Sequence, residues 1–417
     1  MSTPVPRILL PTFLAAALVP GSSASAPDLA SPEGVGVSAV RLERAGAILK
    51  KAIDDGIAGS AVGLVARDGK VVFHQAYGEM EPGVPMTRDA IARMASIGKT
   101  ITAVAVLILY EEGRLRLSDP VSRFIPEFSE VRVAGPGPQA DAAALVAPAR
   151  SVTIHDLLTH QAGLAPDGEA LDRLWESAQT VDEFARRIAA IPLRFQPGVR
   201  FEYGPSYEAL AAVVERASGL SFSDFLQQRI LSPLHMVDTH FFVPEKKRDR
   251  LAGVYKKDSS GQLSLFRRRG QEEVPTKFTS GGGGLRGTVR DYYRFAQMLL
   301  NEGEHGVRLL SPKTVQLMTT DHMPVSGAGG DYGWGLGVSV RLKVLDGIGS
   351  VGSYGWNGGT GTLYLVDPLE RLVVVVFVPS QPRTPGIWGQ SDVRNDFVTA
   401  VYQAIVTSHQ PPGGATR

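Results

Sequence analysis

The chain contains no cysteine, which excludes disulfides, thiolate metal sites, a cysteine nucleophile and lipidation on sulfur together. A charge signal is missing too. Its 43 Lys and Arg against 42 Asp and Glu leave a formal net charge of +1, so nothing electrostatic favours nucleic acid or an anionic membrane surface as partner. No Gly-x-Ser-x-Gly elbow occurs, so an α/β-hydrolase fold has no support. No His-Glu-x-x-His occurs, and the eight His are scattered. "GGGG" at 281–284 lacks the following Lys-Ser/Thr of a phosphate loop and reads as a tight turn near the rim of a site. The apolar run from Ile8 to Val19 is too short to span a bilayer. With Arg7 before it and small residues up to Ala24 or Ala26 after it, the run has the layout of a secretory signal peptide. Pro11 and Pro20 count against a buried helix there. Residues 1–26 are therefore expected to be cleaved on export to the periplasm or beyond, with structure starting near Ser38.

The full sequence has 417 residues, 43% of them hydrophobic, and is long enough to bury a large core. Apolar residues at helical spacing mark 39–56, ended by Gly56, and two strand-like runs follow with Asp68-Gly69 between them, a strong hairpin signal. After an apolar helix beginning near Ser96, the stretch 126–148 is rich in Ala, Pro and Gly and reads as a long loop. Helical patterns occupy 153–164, 180–193, 206–219 and 221–234, and 280–303 is a Gly-rich turn feeding an amphipathic helix. "YGWGLGVSV", "LYLVDP" and "RLVVVVFV" supply strands, 393–406 a closing helix, and 408–417 a frayed end. The expected organisation is α/β (α+β), one antiparallel sheet flanked by helices and built from both chain ends (38–120 and 281–408), with a mostly helical domain inserted over 121–280.

Three short stretches carry chemistry. In "SIGK", Ser96 and Lys99 lie three apart at the start of a helix that is apolar nearly all round, so they share a face. A Lys amine held there can lower the cost of a forming alkoxide and pass a proton; at an exposed first turn it would do neither. Tyr203 ends an extended run before a Gly-Pro-Ser turn, with Ser206 as a candidate N-cap and Glu208 in the first helical turn. A phenol near a Lys can act as general base, whereas an ordinary half-buried Tyr gives the same spacing. In "WNGGTGTLYLVDP" a Gly-rich turn leads into a strand, and Gly358 and Gly359 allow close approach of a ligand to backbone N–H groups. His160 reads as a structural hydrogen-bonding residue rather than a ligand.

Together these stretches resemble the serine β-lactamase and penicillin-binding-protein-like hydrolases, and within them the class C β-lactamase-like (family VIII) carboxylesterases. The three motifs appear in order as Ser96-Ile97-Gly98-Lys99, Tyr203-Gly204-Pro205 and Trp356-Asn357-Gly358, flanked by "LLTHQAGL", "SGGGGLRGTVRDYYRFAQMLL" and "YGWGLG". The resemblance implies that Ser96 is the acylated nucleophile and that Lys99 and Tyr203 form the base system, with Tyr203 the direct proton acceptor. It implies an oxyanion hole from the backbone N–H groups of Ser96 and Gly359, and substrate contacts from Trp356, Asn357 and Gly358. It implies no metal and no cofactor, and a small-molecule ester as substrate. Pro205 stands where lactamases carry an Asn, Trp356 where they carry a Lys, and Asn357 where the esterases usually carry Gly. Losing an amide donor and a cation disfavours anionic substrates and shifts the expectation from lactamase to esterase of short-chain acyl groups. β-Lactamase, D-alanyl carboxypeptidase or acyltransferase chemistry stay as alternatives, and a catalytically silent binding protein as a different class.

Overall fold

The computed structural model describes residues 29–134, 145–165, 168–272, 275–323, 330–344, 349–381 and 392–409. The expected signal peptide, the middle of the expected 126–148 loop and most of the tail lie outside the described residues.

Helix α1 (Ala39–Asp54) starts on Ser38, whose side chain accepts the Arg41 N–H, and turns Leu42, Ala45, Leu49 and Ala52 inward. Strands β1 (Ser60–Arg67) and β2 (Lys70–Glu81) pair across Asp68-Gly69, which take φ of 52° and 72°. Two successive positive φ values are what a type I′ hairpin turn requires, so the Asp-Gly signal is read correctly. Short strands β3 (Val84–Pro85) and β4 (Ala92–Arg93) precede helix α2 (Gly98–Glu111). Next come α3 (Ile154–Leu158), α4 (Gly168–Ser177), α5 (Val181–Ala189), α6 (Ser206–Ser218) and α7 (Phe222–Leu226). Strands β5 (Val254–Lys257), β6 (Leu263–Arg267) and β7 (Arg286–Gly287) lead to α8 (Val289–Leu300) and α9 (Pro312–Met318). The chain closes with β8 (Tyr332–Trp334), β9 (Ser339–Arg341), β10 (Tyr354–Gly358), β11 (Thr362–Asp367), β12 (Leu372–Phe377), β13 (Ser380–Gln381) and α10 (Val393–Ala404).

Eight strands form one antiparallel sheet in the order β3-β2-β1-β12-β11-β10-β9-β8. The two ends of the sequence meet at its centre, where Val62 lies opposite Phe377 and Arg67 opposite Leu372. Both faces are covered. Val374 and Val376 of β12 turn toward α1 and α10, while Val373, Val375 and Phe377 turn toward the face that holds α2 and α8. Such period-two partition with apolar residues on both sides is why the strand reads "LVVVVF" with no polar alternation. Helix α2 is buried from Gly98 to Leu109, as its all-round apolar sequence requires. Each fully buried Val or Leu here is worth about 1.5–3 kcal/mol of transfer free energy.

Several local expectations are corrected. The 153–164 helix stops at Leu158, because His160 takes a left-handed φ of 54°. Pro205, not Ser206, occupies the N-cap position of α6, and Ser206 is its first residue. The 221–234 helix passes after Leu226 into a π turn over Gln227–Leu231. Within the expected mostly helical stretch 121–280, β5 and β6 add a hairpin that β13 joins in parallel, Ser380 opposite Tyr255. Trp356, Asn357 and Gly358 lie in strand β10 rather than in the turn before a strand.

Candidate active site

The site begins with a strained turn. Ala95 holds a left-handed φ of 49°, and Ala95–Ile97 make a single 3-10 turn that delivers Ser96 to the mouth of α2. A non-glycine residue there costs on the order of 1–3 kcal/mol and needs support from both sides. On one side β4 pairs with β7, and the Met94 N–H donates to the Leu285 carbonyl at 2.9 Å. On the other, Thr360 Oγ1 donates to the Arg93 carbonyl and Thr362 Oγ1 to that of Met94, both at 2.6 Å. Gly358 completes the junction, since a Cβ on it would lie 2.5 Å from the Met94 carbonyl oxygen. The third motif is thus seated directly on the turn that carries Ser96. Nothing in the sequence marks Thr360 and Thr362, since a Thr beside glycines carries no signal of its own.

Lys99 is 6% exposed, so the buried alternative holds over the exposed first turn. Its Nζ donates to Ser96 Oγ at 3.2 Å and to the Gly282 carbonyl at 2.7 Å. The ammonium also lies 4.9 Å from the centroid of the Tyr203 ring. The Gly281–Gly284 turn is therefore not at the rim but beside the Lys amine, and Thr102 Oγ1 ties it further by donating to the Gly281 carbonyl. Beneath this turn lies Glu208, 1% exposed, accepting from Ser280 Oγ, Gly281 N–H and Gly282 N–H. Burial pushes its carboxyl up to about 7, partly offset by the Lys99 charge and these three donors. In the sequence Glu208 has no more than a place in a helical first turn.

Tyr203 is 39% exposed, open enough for a substrate to reach. Its hydroxyl accepts from Trp356 Nε1 at 3.3 Å, and its ring lies 4.5 Å from His160 and 5.5 Å from Trp356, centroid to centroid. Trp356 in turn stands edge-on to Trp334 at 4.5 Å. His160 is buried, with Nδ1 accepting the Gly204 N–H at 3.3 Å; burial and the Lys99 charge hold its imidazole well below its usual value and so neutral. That is the structural role expected of it, on a residue that happens to brace the second motif.

These groups open into a cleft of about 710 Å³ that Ser96, Lys99, Tyr203, Pro205 and Glu208 line. Its apolar wall comes from Leu171 and Trp175 of α4 together with Phe241, Phe242 and Phe278. Arg93 and Arg286 also line it, Arg286 paired with Glu272 at 3.0 Å. Among the described residues no group of three or more His, Asp or Glu is placed to hold a metal ion, and no helix is long and apolar enough to cross a membrane.

A family model described as beta-lactamase matches residues 46–387, and the chain belongs to that family of serine hydrolases. Among its relatives, Protein Rv1367c of Mycobacterium tuberculosis is 34% identical over 364 residues, 81% of this chain and 89% of that protein. Esterase EstB of Burkholderia gladioli is 31% identical over 353 residues, 76% of this chain and 84% of that protein. Among solved structures, EstCE1, described as a hydrolase with promiscuous acyltransferase activity, superposes with a TM-score of 0.73 at 25% identity, covering 88% of this chain and 99% of that one.

Proposed function

We propose that this protein is an exported carboxylesterase that hydrolyses neutral esters with short acyl groups through an acyl-Ser96 intermediate. The observation that carries the reading is the buried Lys99 amine, hydrogen-bonded at once to Ser96 Oγ and to a fixed carbonyl, beside a cleft walled by apolar side chains. Ser96 Oγ attacks the ester carbonyl carbon as its proton passes to the Lys99–Tyr203 pair. The backbone N–H groups of Ser96 and Gly359 receive the oxyanion, which is worth on the order of 10²–10³ in rate. Collapse breaks the ester C–O bond, the pair returns a proton to the departing alkoxide, and the alcohol leaves. Water then attacks the acyl carbon, gives its proton to the same pair, and the carboxylic acid departs with Ser96 restored.

The ester preference is supported by Trp356 at the third motif, where its indole packs on Tyr203 and Trp334 and brings no cation. The similarity to Esterase EstB agrees with it. Export is supported by the layout of residues 1–26. A second reading is hydrolysis of a β-lactam or a D-alanyl peptide: Arg93 lines the cleft, with its guanidinium donating to the Gln271 carbonyl, and adds positive charge there. Steady-state hydrolysis of p-nitrophenyl acetate, butyrate and octanoate beside a chromogenic cephalosporin separates the two. Efficient cleavage of the shorter esters with little cephalosporin turnover is the expected result, and the reverse would replace the main reading by the second.

A further inference from the structure

Glu208 has no task in acyl transfer to Ser96, yet it is a carboxylate at 1% exposure lining the catalytic cleft. Burying an acid without purpose is expensive, and this one is built in with care. Oε1 accepts from the Gly282 N–H at 2.9 Å and from Ser280 Oγ at 3.0 Å, and Oε2 accepts from the Gly281 N–H at 2.9 Å. The Gly282 carbonyl takes the Lys99 amine at 2.7 Å. A Cβ on Gly282 would fall 2.3 Å from Glu208 Oε1 and 3.3 Å from Lys99 Nζ, so acid and amine crowd the same glycine.

Resting on the assignment of Ser96 as nucleophile, we infer that Glu208 is a positioning residue. Its carboxylate fixes the Gly281–Gly282 peptides and through them the carbonyl that aims Lys99 at Ser96, and its negative charge supports the amine across that glycine.

The surroundings isolate the pair. From α2 only Lys99 faces the carboxylate with charge. The 280–284 turn contributes the neutral Ser280, and Arg286 beyond it is engaged with Glu272. Tyr203 and Tyr207 present ring faces to Lys99, and the Tyr207 hydroxyl donates to the Leu158 carbonyl. His160 is held neutral. The ionised carboxylate accepts all three donors, whereas the protonated acid turns one oxygen into a donor that faces a backbone N–H. The turn should therefore loosen as pH falls through the carboxyl's raised value of about 7.

The test is the second-order rate of labelling by a fluorophosphonate probe between pH 5 and 9, on wild type, Glu208→Gln and Glu208→Asp. The probe needs a live Ser96 but no ester. Expected for wild type is a rate that falls on the acid side with a midpoint near 7. Glu208→Gln should label at least about tenfold more slowly at pH 8, the scale of a lost buried charge-assisted hydrogen bond, and should show no limb near 7. Glu208→Asp, which keeps the charge, should retain an acid limb and recover part of the rate; circular dichroism and unfolding midpoints on the same samples check that all three are folded. A Glu208→Gln rate and pH profile matching wild type would overturn the inference, as would an acid limb unchanged in all three. Labelling without ester turnover would instead sink only the esterase reading.

Discussion

Replacing Lys99 by Met separates chemistry from architecture at the centre of this site. The substitution keeps an unbranched stem of similar length and removes the amine with its two hydrogen bonds, 3.2 Å to Ser96 Oγ and 2.7 Å to the Gly282 carbonyl. For stability the terms oppose. A cation at 6% exposure no longer has to be desolvated, a gain of some kcal/mol, while the Gly282 carbonyl loses a buried donor at a cost of about 1–3 kcal/mol and Glu208, left without its neighbouring cation, is favoured in its protonated form. The net change should stay within about 2 kcal/mol of zero. For catalysis nothing compensates. Loss of a group that takes part in proton transfer typically costs 10²–10⁴ in rate, about 2.7–5.5 kcal/mol of barrier. Measured together, kcat/KM for p-nitrophenyl butyrate should fall by two decades or more while the urea midpoint stays close to wild type. An enzyme within tenfold of wild type, or an activity loss that merely follows unfolding, would refute the role given to Lys99.

Tyr203→Phe keeps the ring that packs on Lys99, His160 and Trp356 and removes only the hydroxyl, so turnover should fall by about two decades with an unchanged fold; a near wild-type rate would leave proton transfer to Lys99 alone. Trp356→Lys should raise KM for neutral esters and speed acylation by a cephalosporin, and no change in either would mean that the third motif does not face substrate. His160 has its folded pKa depressed by burial, so the stability it contributes is present above its unfolded value of about 6.5 and is lost as pH falls below that toward the folded value. In urea titrations wild type should lose stability relative to His160→Gln between pH 7 and 5, and parallel curves would contradict a buried neutral imidazole.

Local chemistry made much of this molecule legible in sequence. Asp68-Gly69 fixes its turn whatever surrounds it, and the apolar stretch from Ile101 to Leu109 can only be buried. The uninterrupted "LVVVVF" likewise announces a strand covered on both faces. Ser96 and Lys99 are three apart, so the short 3-10 turn running into α2 brings them within reach of each other. What was hidden depends on distant partners. Thr360 and Thr362 act because β10 and β11 dock on the Met94 turn, some 270 positions earlier in the chain by contact separations of 267 and 268. Glu208 reads as a favourable first-turn acid, and only the Gly281–Gly282 turn folded over it reveals a buried acceptor. Leu171, Trp175 and Phe278 form the cleft wall from segments with no motif at all. The β5–β6 hairpin escapes notice because β5 does not alternate and β6 alternates only between half-buried and exposed positions, with Lys and Arg among the apolar residues.

The most direct test of the central claim is acid-quenched peptide mass spectrometry during turnover of p-nitrophenyl butyrate, on wild type and Ser96→Ala. The account expects one butyryl group on Ser96 in the wild-type enzyme, and neither acyl adduct nor turnover above background in Ser96→Ala. A butyryl group on another residue, or ester hydrolysis that survives the loss of Ser96, would contradict it.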